Sequence, residues 1–355
     1  MGIRSGIILN TNQLDLEYIY STKGNDTSIS SNSRRVRDKK IPNYTIREKN
    51  LHPNKTIKNK MAHYFYDDTS YFSIPGLSNT NILGVNCETM VPQGICTCED
   101  YILITAYDSS NKHNSVIYAL KNNHLVATLI YDKKVHMGGI TYDGTYIWIA
   151  EGGGSIHGNE MGVINKENFF QAIHIAIENN AKSVALKNIT TLQADGLNYT
   201  SFCTYYNNML WAGSFNTNNT SHIYGYSIEK DNEKLVLKPT RYIEAPKKSQ
   251  GICFYKDNDN TYLCVSTSYG RRYDSIFRCY TLKDYHQPTD EYKNVKQILK
   301  NQAYRTLILP PMAEQINIKD GAIYCIFESG ANKYIRNSSR PIGSYCIFDA
   351  KKIFN

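Results

Sequence analysis

Between residues 91 and 330, short apolar runs alternate with brief polar turns in a module that occurs five times. Its first copy is VPQGICTCEDYILITAYD (Val91–Asp108): an apolar run, a tight Glu99-Asp100 turn, a second apolar run and a polar exit. The others are HMGGITYDGTYIWIAEG (His136–Gly152), ADGLNYTSFCTYYNNMLWAGSFN (Ala194–Asn216), QGICFYKDNDNTYLCVSTSYG (Gln250–Gly270) and AEQINIKDGAIYCIFESG (Ala313–Gly330). Paired short runs bounded by turn residues predict antiparallel strands. Alignment on Gly94, Gly139, Gly196 and Gly251, with Gln315 standing in the fifth copy, gives intervals of 45, 57, 55 and 64 residues. Self-similarity on this scale is the signature of a β-propeller.

The first unit resolves into four strands, Gly94–Cys98, Tyr101–Tyr107, Ser115–Leu120 and Leu125–Tyr131, with a hairpin turn at Lys121-Asn122-Asn123. Units three and four repeat this plan. Unit two keeps its first pair around Asp143-Gly144, and Lys166–Ala181 then predicts a helical insertion. Glu291–Lys300 reads as a short helix ahead of the last strand of unit four. Unit five ends one strand short, so an N-terminal strand, Tyr71–Pro75 or Asn81–Val85, is expected to complete it. The fold class is all-β: a five-bladed propeller of four-stranded antiparallel blades over residues 61–355. Six blades is the alternative, if residues 61–88 form more than a single strand.

Charge changes the picture at one end only. Residues 1–60 hold 12 Lys/Arg against 5 Asp/Glu, or +7, and the remainder holds 28 against 27, or +1, which sum to the net charge of +8. This segment is rich in Asn, Ser, Lys and Arg and carries no sustained period. It reads as a basic, low-complexity arm, with Ser21–Lys40 disordered or ordered only on a partner, suited to an acidic surface. No apolar run is long enough for a membrane helix, and nucleic acid is not the expected partner. Met1–Thr11 shows no signal-peptide core. Nine cysteines, most of them inside predicted strands, read as small apolar core residues in a reducing or anaerobic setting. No second thiol pair accompanies Cys96-x-Cys98 at zinc spacing, so no metal site is assigned.

In an up-and-down blade the start of the first strand and the end of the second lie on one face. Five polar segments therefore converge at one mouth of the channel: Pro92-Gln93, Val135-His136, Ala194-Asp195, Ser249-Gln250 and Glu314-Gln315. Glu151 and Glu328 leave equivalent second strands on the same face. His136 is the candidate general base, with Glu151 and Glu328 as candidate acid and base and Asp195 as an orienting group or cation ligand. Gln93, Asp195, Gln250, Glu314 and Gln315 form the candidate ligand-binding ring. Each has a plain structural reading too, with the glutamines bonding backbone amides at a crowded axis and the carboxylates capping turns. Arg271 and Arg272, in a neighbouring loop, favour a carboxylate or phosphate ligand through forked hydrogen bonds.

The PQGI and QGI strand starts, followed by D-x-YILI and a hairpin, resemble the bacterial SMP-30/NHL/strictosidine-synthase-like propellers. More loosely, they resemble the five-bladed glutaminyl cyclotransferases. The first resemblance implies a divalent cation held by channel residues, with Asp195 as one ligand. The second implies a catalytic acid at Glu151 or Glu328. With no complete catalytic motif in the chain, the first expectation is a binding propeller. Its site lies on the His136/Gln93/Gln250 face, for a small anionic ligand or a protein partner, in an exported or cell-surface setting and with no cofactor. Two other expectations stand beside it: a lactonase-, esterase- or cyclotransferase-type enzyme, and an assembly component with a wrapping arm.

Overall fold

The chain turns where its sequence supplies residues that tolerate a left-handed backbone. Four two-residue hairpin loops, Asn122-Asn123, Asn207-Asn208, Asn232-Glu233 and Asp320-Gly321, have positive φ at both positions. That is the type I′ geometry whose twist matches the flanking strands. Asn occupies five of these eight positions because its short side chain bonds locally and relieves the penalty.

The computed structural model describes residues 3–7, 17–22, 45–50, 56–60, 71–152, 158–258, 260–282, 295–297 and 303–354. Its strands form five antiparallel blades. Blade 1 is Met90–Cys98, Tyr101–Asp108, Val116–Lys121 and His124–Ile130. Blade 2 is Gly139–Tyr142, Tyr146–Ala150, Glu160–Asn165 and Thr190–Gln193. Blade 3 runs from Phe202–Tyr206 and Met209–Gly213 to the long pair Ser221–Asp231 and Lys234–Ala245. Blade 4 is Ser249–Asp257, Asn260–Thr267, Ser275–Thr281 and Arg305–Leu309. Blade 5 is Ala313–Lys319, Ala322–Phe327 and Ser344–Asp349, completed by Tyr71–Ser73 from the N-terminal side. This is the expected ring closure. It ties sequence-distant segments together, with Ile74 N donating to Gly343 O at 2.9 Å.

The insertion in blade 2 is helix α1, Lys166–Glu178, capped by Asn165, whose side chain accepts from Glu167 N. It buries Phe169, Ala172, Ile173, Ile175 and Ala176 in one cluster with Leu129, Val184 and Tyr131 of blade 1. Each large apolar side chain so buried contributes roughly 1.5–3 kcal/mol. The chain then adds Ser183–Ala185 in parallel to blade 1 before returning to blade 2.

Four arm segments extend the sheets of this same chain. Glu17–Ser21 pairs with Ser183–Ala185 and with Ile3–Ile7 on the rim of blade 1, and Tyr20 OH donates to Asn179 Oδ1 at 3.2 Å. Thr45–Asn50 pairs with Arg305–Leu309 on blade 4, with Thr56–Lys60 beyond it. Residues 23–40, where disorder was expected, lie outside the described residues.

The helix expected over Glu291–Lys300 is corrected. Val295–Gln297 is a strand, parallel to Lys234–Ala245 on the outside of blade 3. An unpaired outer strand offers a row of backbone partners, and that tertiary opportunity overrides weak local helix propensity. All nine cysteines are buried as free thiols in the core, as their strand positions predicted.

Candidate functional site

At the axis the inner strands meet almost backbone to backbone. A Cβ added at Gly139 would lie 2.6 Å from Cys203 N, and one at Gly251 would lie 2.6 Å from Gln315 Cα. No side chain fits there, so glycine is required by close approach. Gln315 fills the remaining space. Its Oε1 accepts from Ile95 N and Ile140 N, both at 2.9 Å, and its Nε2 donates to Ile140 O at 2.7 Å and Cys203 O at 2.8 Å. One fully buried amide thereby ties blade 5 to blades 1, 2 and 3.

Strand register moves one expected site residue away from this ring. Phe202 faces Gly213 as Gly139 faces Ala150, so Phe202, not Gly196, is the blade 3 equivalent of the repeat glycine. Gly196 sits in the turn ahead of the blade at φ +92° against the Tyr224 ring. Asp195 accordingly lies exposed on that turn, its carbonyl accepting from Tyr226 OH at 2.9 Å. The residues that do lead into the inner strands are Gln93, Gly138, Ser201, Gln250 and Glu314.

Above Gln315, two of these meet a carboxyl group from the next strand. Ala313 pairs with Phe327 and the strands run antiparallel, so Glu314 and Glu328 flank that pair diagonally in blade 5, within reach of long side chains. Their carboxyls share a hydrogen bond, with protonated Glu314 donating to Glu328. Gln250 Nε2 donates to Glu314 Oε1 at 3.2 Å, and Gln93 Nε2 donates to Glu328 Oε2 at 2.9 Å. Burial and the neighbouring Glu328 charge push Glu314 well above the usual carboxylate range. Burial likewise lifts Glu328 to about 7, against the opposing pull of its bonds to Gln93 and Glu314 and of the Lys333 and Arg271 charges. At neutral pH the pair thus holds at least one proton and no more than one negative charge.

An aromatic and cationic wall stands beside it. His136 stacks on Tyr107 with ring centroids 4.6 Å apart, and Lys333 Nζ donates to Tyr107 OH at 2.9 Å. Lys333 and Arg271 each lie over the Tyr334 ring, 5.0 Å from its centroid. His136 Nδ1 is buried without a hydrogen-bond partner among the described residues, and burial together with the Lys333 charge lowers its pKa to about 4. The imidazole is therefore neutral near pH 7. Lys333 and Tyr334 were not anticipated. They come from the loop after the second strand of blade 5, which is longer than its counterparts in the other blades.

Glu151 is placed elsewhere. It is fully buried and accepts from Tyr131 OH and from Lys133 Nζ, whose nitrogen lies 2.9 Å from Oε2. These partners occupy both oxygens, so the residue locks blade 1 to blade 2. Glu151→Ala is expected to destabilise the protein by about 3 kcal/mol in urea denaturation, because it strands a lysine and a phenol at a buried position. A loss below about 1 kcal/mol would overturn this structural assignment.

Cys87, Asp108 and His113 bring potential metal-ligand atoms within 4.8 Å of one another. Asp108, however, already accepts from Ser110 N, Lys112 N and His113 N, each at 2.9 Å, and lies 3.0 Å from His113 Nδ1. Burial raises its pKa, but bonds from Thr89, Ser110 and His113 outweigh that and hold it well below the usual range. The trio stitches the loop after the second strand of blade 1.

No known family and no curated protein matches the sequence. Solved structures match it at low identity and low TM-score. A thermostable family-43 glycoside hydrolase has 10% identity over 73% of this chain and 88% of its own, with a TM-score of 0.40. A humanized mutant of the Chaetomium thermophilum Polycomb Repressive Complex 2 bound to the inhibitor GSK126 has 8% identity over 73% and 71%, with a TM-score of 0.36. Kuenenia stuttgartiensis Hydrazine Synthase has 8% over 70% and 68%, with a TM-score of 0.34. The structure shows the five-bladed architecture, and no family match supports the SMP-30/NHL resemblance.

Proposed function

We propose that this protein is a binding propeller whose mouth takes a small hydroxylated carboxylate. One observation carries the reading: the proton-sharing Glu314–Glu328 pair, clasped by Gln93 and Gln250, lies beneath Lys333 and Arg271. A protonated carboxyl and a carboxylate together donate to and accept from ligand hydroxyls. The two cations outweigh the single negative charge and favour an anionic head group. The face of His136 and Tyr107 supplies an apolar side, as small-molecule sites require. The basic residues 1–60 would hold the propeller against an acidic surface in an exported or cell-surface setting.

A second reading follows from Glu328 alone. A carboxylate with a pKa near 7 is matched to general-base work at neutral pH, with neutral His136 beside the same opening. Gluconate and δ-gluconolactone separate the two readings. Gluconate binding measured by calorimetry, lost in Lys333→Ala and Glu328→Gln and unaccompanied by lactone turnover, supports the binding propeller. Lactone hydrolysis abolished by Glu328→Gln supports the enzyme. Absence of both binding and turnover would sink the assignment of a ligand site to the mouth.

A further inference from the structure

Arg278 lies on the third strand of blade 4, in the interior of the ring wall, and is only 4% exposed. Its Nη1 donates to Thr267 Oγ1 at 2.8 Å, and its Nε has no partner. Among the described residues no carboxylate pairs with it. The carboxylate that shares its cleft among the described residues, Asp274, is ion-paired with Arg340. A buried guanidinium without a counter-ion is costly, and proteins rarely keep one unless something supplies the missing anion.

The space beside it identifies what that is. Arg278 lines a cleft of ≈ 670 Å³ between blades 3 and 4, on the same face as the mouth but formed by different residues. Lys247 and Lys248 border the cleft from the blade 3–4 connection, and Lys248 Nζ sits 4.6 Å from the Tyr269 ring centroid. Tyr269 and Tyr273 are 52% and 74% exposed, by far the most open tyrosine surfaces of the described body. Three cations and two open rings thus face one cavity whose only carboxylate is already neutralised.

We propose that this cleft is a second binding site, for an oxyanion carried on a ring. The carboxylate or phosphate reaches Arg278 and Lys248, while the ring lies on Tyr269 or Tyr273. Arg278 offers a planar fork suited to two-oxygen recognition, and it lies in a partly dehydrated cleft where each charge-assisted bond is stronger than in water. Burial also draws its own pKa downward, and a bound anion would relieve that penalty. The site does not depend on the carboxyl pair at the mouth.

The test uses the full chain, with glucuronate, inorganic phosphate, acetate and uncharged glucose as probes. Glucuronate is expected to raise the melting temperature and to bind in calorimetry, with glucose inert. Inorganic phosphate binding as tightly as glucuronate would place recognition in the oxyanion alone and overturn the part assigned to the tyrosines, and acetate matching glucuronate would do the same. Arg278→Met should weaken glucuronate binding roughly thirtyfold or more, as expected when one partner of a buried charged contact is removed. Tyr273→Ala changes an exposed side chain and Lys248→Ser a half-buried one, so they serve if Arg278→Met fails to fold, and each should weaken binding. Glucuronate is also a hydroxylated carboxylate of the kind proposed for the mouth, so each measurement is repeated in Lys333→Ala, where the remaining binding reports the cleft alone and failure of one site stays distinguishable from failure of the other. No glucuronate-dependent shift in the wild type, or equal affinity in the cleft variants, would overturn the proposal.

Discussion

Gln315→Ala is expected to destabilise the protein by about 4 kcal/mol or more, the largest single-residue loss among the polar positions of the axis. The truncation leaves Ile95 N, Ile140 N, Ile140 O and Cys203 O without the partner that each now has. Each buried backbone group left unmade costs about 1–3 kcal/mol, and the vacated space lies where glycine backbones leave no side chain able to collapse into it. Gln315→Glu preserves shape but places a carboxylate against two carbonyl oxygens, and should fare no better. Urea denaturation with wild type alongside decides the matter. A loss below about 1 kcal/mol would mean that the four bonds are replaceable. Gln315 would then return to the candidate ligand residues.

The propeller was legible because its signals are local and repeated. Paired apolar runs, Asn- and Gly-containing turns and the missing last strand together imply five blades and their closure. Even the insertion over Lys166–Glu178 announced itself by its length. The site was legible only in part. Glu314, Glu328, Gln93 and Gln250 were named from strand starts and exits, but their pairing depends on the register Ala313↔Phe327, with an irregularity before Ile316. The diagonal cross-strand rule applied to blade 5 would have found the two glutamates within reach of each other. Asp195 was misplaced because ADGLNY mimics a strand start, while the actual inner strand, Phe202–Tyr206, carries Phe202 where the other copies carry glycine or Gln315. Lys333 and Tyr334 carried no sequence signal. They lie in a loop longer than its counterparts, where repeat logic says nothing. Arg278 was hidden in a predicted strand, and only the absence of a counter-charge in three dimensions makes it conspicuous.

The mouth also sets an opposition that pH will expose. Glu328 rises from its ordinary 4.5 to about 7 on folding, so between those values the folded state binds more protons than the unfolded state. Its contribution is therefore fully present below about pH 4.5 and is lost as pH climbs through 7. His136 works in the opposite direction. Its pKa falls from 6.5 to about 4, so the unfolded chain binds the extra proton in that interval and stability from this group grows as pH rises. Each of these two shifts corresponds to roughly 3 kcal/mol at about 1.4 kcal/mol per pKa unit, and Glu314, raised well above the usual carboxylate range, adds a second falling component, so the wild type should lose stability between pH 4.5 and 6.5. Glu328→Gln removes one falling component and leaves that of Glu314: the loss of stability from pH 4.5 to 6.5 should be smaller than in the wild type, and at pH 8 the variant should melt above wild type. His136→Gln removes the rising component, and its stability should fall steadily over pH 4.5 to 7. Melting temperatures of the three proteins across pH 4.5–8.5 test both signs at once. Parallel profiles would show that neither group is desolvated as its surroundings require, and the shared proton at the mouth would be lost with them.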